Sequence, residues 1–365
     1  MFVQIQPDGR WLFKIDHHMR TTYETCHLKF KYAHVPSVLE GVNFGKVLRR
    51  KGRSGFKMEV GSWWSDVMQE YYQALARREL TKPFVMAAAA KLWVEHKMED
   101  YKVTDPDNFG MFGGDYTEVE IPCGTPECPK NIGPNVHKVN VLAGPMVMAS
   151  QYFDAFASAD TQTWKVISTE AGFGIGGDVV IAENSRVIVG LVGRPDLIIL
   201  EESGGVARAM PVDHKTKDRI KYDTARQWKP HYQFPGYIIA LQNLLHKAGH
   251  DYTVDRCVVN IAARLLPSEP RKAGKARAPR FLRVHLSYTQ DELNEYQRDT
   301  LDCVTELRRS IEQNHWRRGS EFACHAYNGC DYRQLCTRSP NERPIVEQSE
   351  YVRVEPWVPY TEEET

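Results

Sequence analysis

A chain of 365 residues with 42% hydrophobic and 26% charged residues is long enough for one large domain or two modest ones, and its makeup is that of a folded globular protein. Its 47 Lys and Arg equal its 47 Asp and Glu, so bulk charge announces no polyanionic partner and any nucleic-acid surface must be local. Eight cysteines are too few for a disulfide-framed secreted domain, the N-terminus lacks an apolar signal core, and the apolar stretches 84–92 and 187–200 are too short or broken by Arg194 and Asp196; a cytoplasmic setting without membrane contact is expected.

In chain order, residues 61–80 predict a helix capped near Ser62, and the alanine-rich run 84–101 predicts a second. Residues 102–140, with repeated Gly, Pro, Asp and Asn, predict loop, and Met146–Ala159 a further helix. From 164 the texture turns to strand. Trp164–Glu170, Asp178–Ala182, Arg186–Val192, Asp196–Glu201 and Ala207–Asp213 are short Val- and Ile-rich runs, with a hairpin turn at 201–205. Tyr232–Lys247 carries Ile238, Leu241, Leu244 and Leu245 on one helical face. Strands follow at 254–264 and 280–287. Thr289-Gln-Asp-Glu292 is a capping box that opens a helix to about 316. A cysteine-bearing segment comes next, then an acidic tail expected to be loose. No repeat or low-complexity linker cuts the chain, and the pattern is α/β with helices inserted ahead of a mixed sheet.

Three positions in the strand-rich part point to chemistry. Asp196 stands at the entrance of one strand, and Asp213 ends its hairpin partner. Asp213 and Lys215, two apart on a strand, point to one face. Two hard carboxylates suit Mg²⁺ or Mn²⁺, with the His214 carbonyl as a further oxygen, and a nearby lysine can orient water or offset phosphoryl charge. Gln233 and Tyr237 share a helical face by their i, i+4 spacing. Such a set suits phosphodiester hydrolysis. Asp-X-Lys by itself is common, and the ordered series is what lifts it above an exposed strand end.

Cys26, Cys324, Cys330 and Cys336 are, in a reducing setting, better read as metal ligands than as disulfides. Cys123 and Cys128, with His137, form either a small second metal knot or a loop with free thiols. Cys257 and Cys303 read as core. The run Arg271, Lys272, Lys275, Arg277, Arg280 and Arg283 contains no acid and is either a DNA-binding patch or a solvated loop. Trp63, Trp64 and Trp228 read as core or as stacking platforms for unpaired bases.

The series Gly193-Arg-Pro-Asp196, Asp213-His-Lys215 and Gln233-Phe-Pro-Gly-Tyr237 resembles the PD-(D/E)XK nuclease superfamily, specifically its RecB-like branch. The resemblance implies a restriction-endonuclease-like mixed sheet flanked by helices, with Asp196 and Asp213 as metal ligands, Lys215 catalytic, and Gln233 and Tyr237 as the branch's additional motif. Glu170 falls where many relatives carry a further metal-site acid, or is a solvated strand residue. The surroundings of Cys26 and the run Cys330-Asp-Tyr-Arg-Gln-Leu-Cys336 resemble the branch's iron–sulfur segments. They imply a structural [4Fe–4S] cluster that clasps the two ends of the chain, with zinc as the alternative occupant. Two positions depart. Five residues, rather than the usual two, separate Cys324 from Cys330, and Ser65 in Gly61-Ser-Trp-Trp-Ser65 stands where relatives carry a metal-site histidine. Either a histidine comes from elsewhere, the metal has fewer protein ligands, or the alignment slips.

The expected organisation is an N-terminal segment with the first cluster cysteine (1–60), a helical insertion (61–163), a nuclease core (164–316), a cysteine-cluster segment (317–340) and a tail (341–365). The expected function is a Mg²⁺- or Mn²⁺-dependent DNA exonuclease acting on ends or single strands. The alternative is a catalytically weak or inactive DNA-binding or assembly subunit.

Overall fold

The structure is a computed structural model. It describes residues 3–35, 47–50, 56–96, 116–122, 131–133, 136–174, 179–221, 223–264, 279–325 and 329–354.

The N-terminal part holds β1 (Val3–Ile5), β2 (Trp11–Ile15), α1 (His17–Thr25), α2 (His27–His34) and β3 (Val47–Arg50). Next come α3 (Phe56–Ala76), α4 (Lys82–Glu95), β4 (Tyr116–Pro122), β5 (Asn131–Gly133), β6 (Val136–Leu142) and α5 (Ala143–Thr163). Strands β7 (Trp164–Thr169), β8 (Val180–Glu183), β9 (Val187–Leu191), β10 (Leu197–Ser203) and β11 (Val206–Lys217) precede α6 (Gln233–Lys247). The chain closes with β12 (Arg256–Ala263), β13 (Phe281–Ser287), α7 (Gln290–Glu312), α8 (Glu321–His325), α9 (Arg333–Thr337), α10 (Arg343–Glu350) and β14 (Tyr351–Val354).

A five-stranded mixed sheet, ordered β13-β12-β11-β10-β7, forms the centre. Its β11–β12 pair is parallel and its other pairs antiparallel. A four-stranded sheet, β1-β2-β9-β8, is also mixed, because β2 runs parallel to β9 with Trp11 opposite Val187. Alternation along β10 explains the layering. Leu197 and Ile199 face a core built with Trp63, Trp64, Trp93 and Tyr152 of α3, α4 and α5. Ile198 and Leu200 face a second core with Phe234, Ile238, Leu293 and Val304 of α6 and α7. A strand covered on both faces reads as an unbroken apolar run, which Leu-Ile-Ile-Leu is.

Local signals place several termini. Thr289 and Glu292 close the expected capping box, with Thr289 N–H donating to Glu292 Oε2 at 2.7 Å and Glu292 N–H to Thr289 Oγ1 at 3.3 Å. Thr81 caps α4, with Pro83 in its first turn.

Several expectations need correction. The first long helix starts at Phe56 rather than 61 and ends at Ala76. β11 continues through Asp213 to Lys217, because parallel pairing with β12 carries it on (Asp213 opposite Val259, Lys215 opposite Ile261). Residues 102–140 are not all loop: β4, β5 and β6 pair antiparallel in a three-stranded sheet. The alternation in Thr117-Glu-Val-Glu-Ile and Val136-His-Lys-Val-Asn-Val was masked by neighbouring Gly, Pro and Asn. The expected loose tail is structured as far as Val354, since α10 leads into β14, which pairs with β3. The acidic end, Glu362-Glu-Glu-Thr365, lies outside the described residues.

Candidate active site

Asp196 stands at the mouth of β10, and Asp213 and Lys215 lie on β11, in a hairpin whose register pairs Leu197 with Val212. The Lys215 ammonium is 2.7 Å from Asp213 Oδ2. On the first turns of α6, Gln233 Nε2 donates to Asp213 Oδ1 at 2.6 Å and to the Tyr237 hydroxyl at 3.1 Å. Tyr237 in turn donates to the Arg194 carbonyl at 3.1 Å. The His214 N–H donates to Asp196 Oδ2 at 2.5 Å. The five residues Asp196, Asp213, Lys215, Gln233 and Tyr237, drawn from three separate elements, therefore meet at one place. Gly193 makes the approach possible: a Cβ there would stand 2.8 Å from Phe173 Cζ and 3.1 Å from Tyr237 Cε1.

The cluster's electrostatics follow from burial. Desolvation pushes the Asp196 carboxyl well above the usual carboxylate range, and the Asp213 charge pushes it further, against Lys215 and the His214 N–H. For Lys215 burial works against the ammonium, but Asp213 and Asp196 outweigh it and raise its pKa above the ordinary lysine value. Burial, reinforced by Asp213, also keeps the Tyr237 phenol protonated. Lys215 therefore stands as a fixed positive charge and not as a free base.

The fit of a divalent cation can be judged from Asp213. Its side chain is 3% exposed, and its buried Oδ2 is engaged by the Lys215 ammonium at 2.7 Å. A carboxylate oxygen in that condition, beside a second carboxyl that resists ionisation, is where a hard cation stabilises both. Among the described residues no three acidic, imidazole or thiol groups are already drawn together as a cage; Asp213 meets the Lys215 ammonium instead. The donors fit Mg²⁺ or Mn²⁺. Glu170, expected as a further acid, lines the same cleft but pairs with Arg194 at 2.8 Å. It has φ +54, a conformation L-residues rarely adopt, held there by its N–H donating to the Asp196 carbonyl at 3.0 Å.

The His214 ring leaves on the other face of β11, as its place between Asp213 and Lys215 requires. It stacks on Tyr72 (centroids 5.5 Å apart, 12° between planes), and its Nδ1 is 3.0 Å from Asn260 Nδ2. Burial, then Arg283 and Lys215, pushes the imidazole down to about 3, so it is neutral. Behind it lies a buried polar network. Asn260 Nδ2 donates to the Tyr152 hydroxyl at 2.5 Å, the Tyr72 and Tyr152 hydroxyls are 2.9 Å apart, and Arg283 Nη1 pairs with Asp160, itself fully buried, at 2.5 Å.

A cleft of about 930 Å³ opens over the acidic cluster. One of its walls, α1, escaped sequence reasoning, and of the other, α3, the resemblance draws only Ser65 to the metal site. Ser62, Ser65, Gln69 and Gln73 of α3 line one side, and Asp16, His17 and His18 at the start of α1 line another. A polar helix stripe looks the same in sequence whether it faces a cleft or bulk water. The adjacent histidines, directly after the strand-like Trp11–Ile15, were the one visible hint.

Other expectations fare differently. Trp63 and Trp64 are 0% and 1% exposed and Trp228 is 6%, so they are core and not platforms for bases. Cys257 is buried, and Cys303 packs against the core. Arg280 is buried and donates to Gln151 Oε1, while Arg283 belongs to the buried network, so these two leave the expected basic patch. Arg271, Lys272, Lys275 and Arg277 lie outside the described residues, as do Cys123 and Cys128.

The four remaining cysteines come from the two ends of the chain and lie near one another, without forming a closed cage among the described residues. Cys26 caps α2, its Sγ accepting from Lys29 N–H at 3.4 Å and Gly319 N–H at 3.1 Å. The Cys330 N–H donates to the Cys324 carbonyl at 3.0 Å. Burial raises the Cys336 thiol, with Arg318 opposing and Cys26, Cys324 and Cys330 all adding to the rise, which places the four within electrostatic reach. All four are free thiols. Beside them Tyr32, Tyr332 and Tyr351 stack in series at 5.6 and 5.8 Å. A Cβ on Gly319 would fall 2.4 Å from the Thr25 carbonyl and 2.8 Å from Cys26 Cβ. Gly319→Val is expected to destabilise the protein by about 1–3 kcal/mol through this collision, read as a lowered urea midpoint; an unchanged midpoint contradicts the close approach.

No helix among the described residues is long and apolar enough to cross a membrane. No curated protein matches the sequence. A family model described as the PD-(D/E)XK nuclease superfamily matches residues 20–337.

Proposed function

Because the chain belongs to the PD-(D/E)XK nuclease superfamily, we propose that it is a Mg²⁺- or Mn²⁺-dependent deoxyribonuclease that trims DNA ends or single strands. Its two mixed sheets flanked by helices are consistent with a restriction-endonuclease-like fold. The observation that carries the proposal is the buried Asp213 carboxylate, with one oxygen held by Gln233 and the other paired with Lys215, beside the buried Asp196 carboxyl.

Asp196, Asp213 and the His214 carbonyl would hold the cation. When bound, the ion supplies Lewis-acid polarisation of the phosphodiester and eases deprotonation of water. Gln233 fixes the Asp213 rotamer, and Tyr237, anchored on the Arg194 carbonyl, fixes Gln233. Lys215, held protonated, places positive charge where it offsets the negative charge that develops on the phosphoryl oxygens. The cleft walled by α1 and α3 gives a strand access to the acidic cluster.

The four neighbouring thiols support a [4Fe–4S] cluster as a structural clasp between α2 and the segment around α8 and α9, with zinc as the competing occupant. The thiols of Cys26, Cys324, Cys330 and Cys336 supply the right donor type and number.

End-labelled single-stranded and duplex DNA, incubated with wild-type protein and Mn²⁺, tests the activity. Metal-dependent shortening of single strands or ends that disappears in Lys215→Ala supports it. Cleavage unaffected by Lys215→Ala overturns it, and absence of cleavage favours the weak, DNA-binding subunit, for which Ser65 in place of a histidine is the motive. Anaerobically purified protein with broad absorbance near ~400 nm supports the cluster, whereas a colourless, zinc-containing sample contradicts it.

A further inference from the structure

The α1 wall of the cleft carries chemistry that the proposal above leaves unused. Asp16 caps α1, its carboxylate accepting from Met19 N–H at 2.7 Å, and that cap sets His17 into the cleft shared by Asp196, Asp213 and Lys215. The His17 ring centroid is 6.5 Å from that of Tyr237 and 4.0 Å from that of His18. Tyr237 is only one residue removed from Asp213, through Gln233. The contacts of His17 are with rings, and no hydrogen bond engages its nitrogens among the described residues. Across the cleft α3 presents Ser65 and Gln69, which bring no imidazole.

We propose that His17 is a ligand of the divalent cation and biases the site towards Mn²⁺ over Mg²⁺. This rests on the metal-dependent nuclease reading and adds a nitrogen donor to it. A neutral imidazole has the lone pair that a ligand needs. Mg²⁺ takes oxygen almost alone, while Mn²⁺ accepts nitrogen more readily, so one imidazole among carboxylates separates the two ions. His18, exposed beside it, is the competing candidate.

Electron spin-echo envelope modulation on Mn²⁺-loaded full-length protein tests the assignment without reference to activity. Nitrogen modulation from a directly bonded imidazole is expected in wild type and in His18→Ala. It should vanish in His17→Ala and return in the double variant His17→Ala with Ser65→His, which supplies a ring from the facing helix. Competition titrations should show Mn²⁺ affinity falling about 10–100-fold in His17→Ala, with a smaller loss for Mg²⁺. Modulation that persists in His17→Ala, or is lost in His18→Ala alone, overturns the assignment. Wild-type protein whose Mn²⁺ binding is lost in Asp213→Asn, yet which shows no nitrogen modulation, overturns His17 and leaves the nuclease reading intact. Wild-type protein that binds no Mn²⁺ overturns both, and the wild-type spectrum stays decisive even where a variant fails to fold.

Discussion

Asp213→Asn is expected to lower metal-dependent cleavage about a thousandfold or more while leaving the protein folded. The substitution keeps the shape, and the amide oxygen still accepts from Gln233 Nε2, which stands 2.6 Å from Asp213 Oδ1. What it removes is the buried charge opposite Lys215 and beside Asp196. A thousandfold corresponds to about 4 kcal/mol of transition-state stabilisation, within the several kcal/mol that an ion on a phosphoryl oxygen contributes. Lys215→Ala is the milder case, at about 10²–10³-fold, the usual loss for one group that stabilises developing negative charge. Single-turnover rates on end-labelled DNA with Mn²⁺, beside circular dichroism for the fold, measure both. Asp213→Asn protein retaining a tenth of the wild-type rate would exclude Asp213 as the principal anchor of the reaction.

The second large effect belongs to stability. Asp160→Leu is expected to destabilise the protein by about 3–5 kcal/mol, because it strands a buried guanidinium. Arg283 is enclosed by the Asp160 carboxylate at 2.5 Å, the Tyr152 hydroxyl at 2.9 Å and the ring faces of Phe156 and Trp164 at 3.8 and 4.3 Å. Asp160 also accepts from the Tyr71 hydroxyl at 3.1 Å, which loses its partner too. The double substitution Asp160→Leu with Arg283→Met removes both charges and should recover most of the loss, since apolar replacement of a whole buried pair is often close to neutral. Urea unfolding of the four proteins forms a double-mutant cycle, and a double variant no more stable than Asp160→Leu would show that the network matters for more than its charges. The network also backs His214, whose N–H holds Asp196. Asp160→Leu is therefore the variant in which lost stability and a loosened site should appear together.

The acidic cluster was legible because it obeys short-range rules. Asp213 and Lys215 share a face through strand alternation, Gln233 and Tyr237 through helical spacing, and the observed contacts follow both. The α7 capping box was legible for the same reason. What escaped depends on partners far along the chain. β11 was expected to stop at Asp213, and only its pairing with β12 carries it to Lys217. Nothing near Asp16 and His17 announces that they border residues some 180 positions later, and on α3 only Ser65 is drawn to the site by the resemblance, while Ser62, Gln69 and Gln73 look solvated until the opposite wall is placed. The run 271–283 misled because cations in sequence do not reveal which of them find a buried carboxylate, as Arg283 does.

The union of β3 with β14 sets a schedule for biosynthesis. Val47–Arg50 emerges from the ribosome early, yet its partner Tyr351–Val354 lies about 300 residues downstream, a delay on the order of 15–60 s at usual elongation rates. β2 waits as well, for β9. During translation the nascent amino-terminal third therefore exposes unpaired edges and the Cys26 thiol, a load for holdase chaperones that ends only when the last strand arrives.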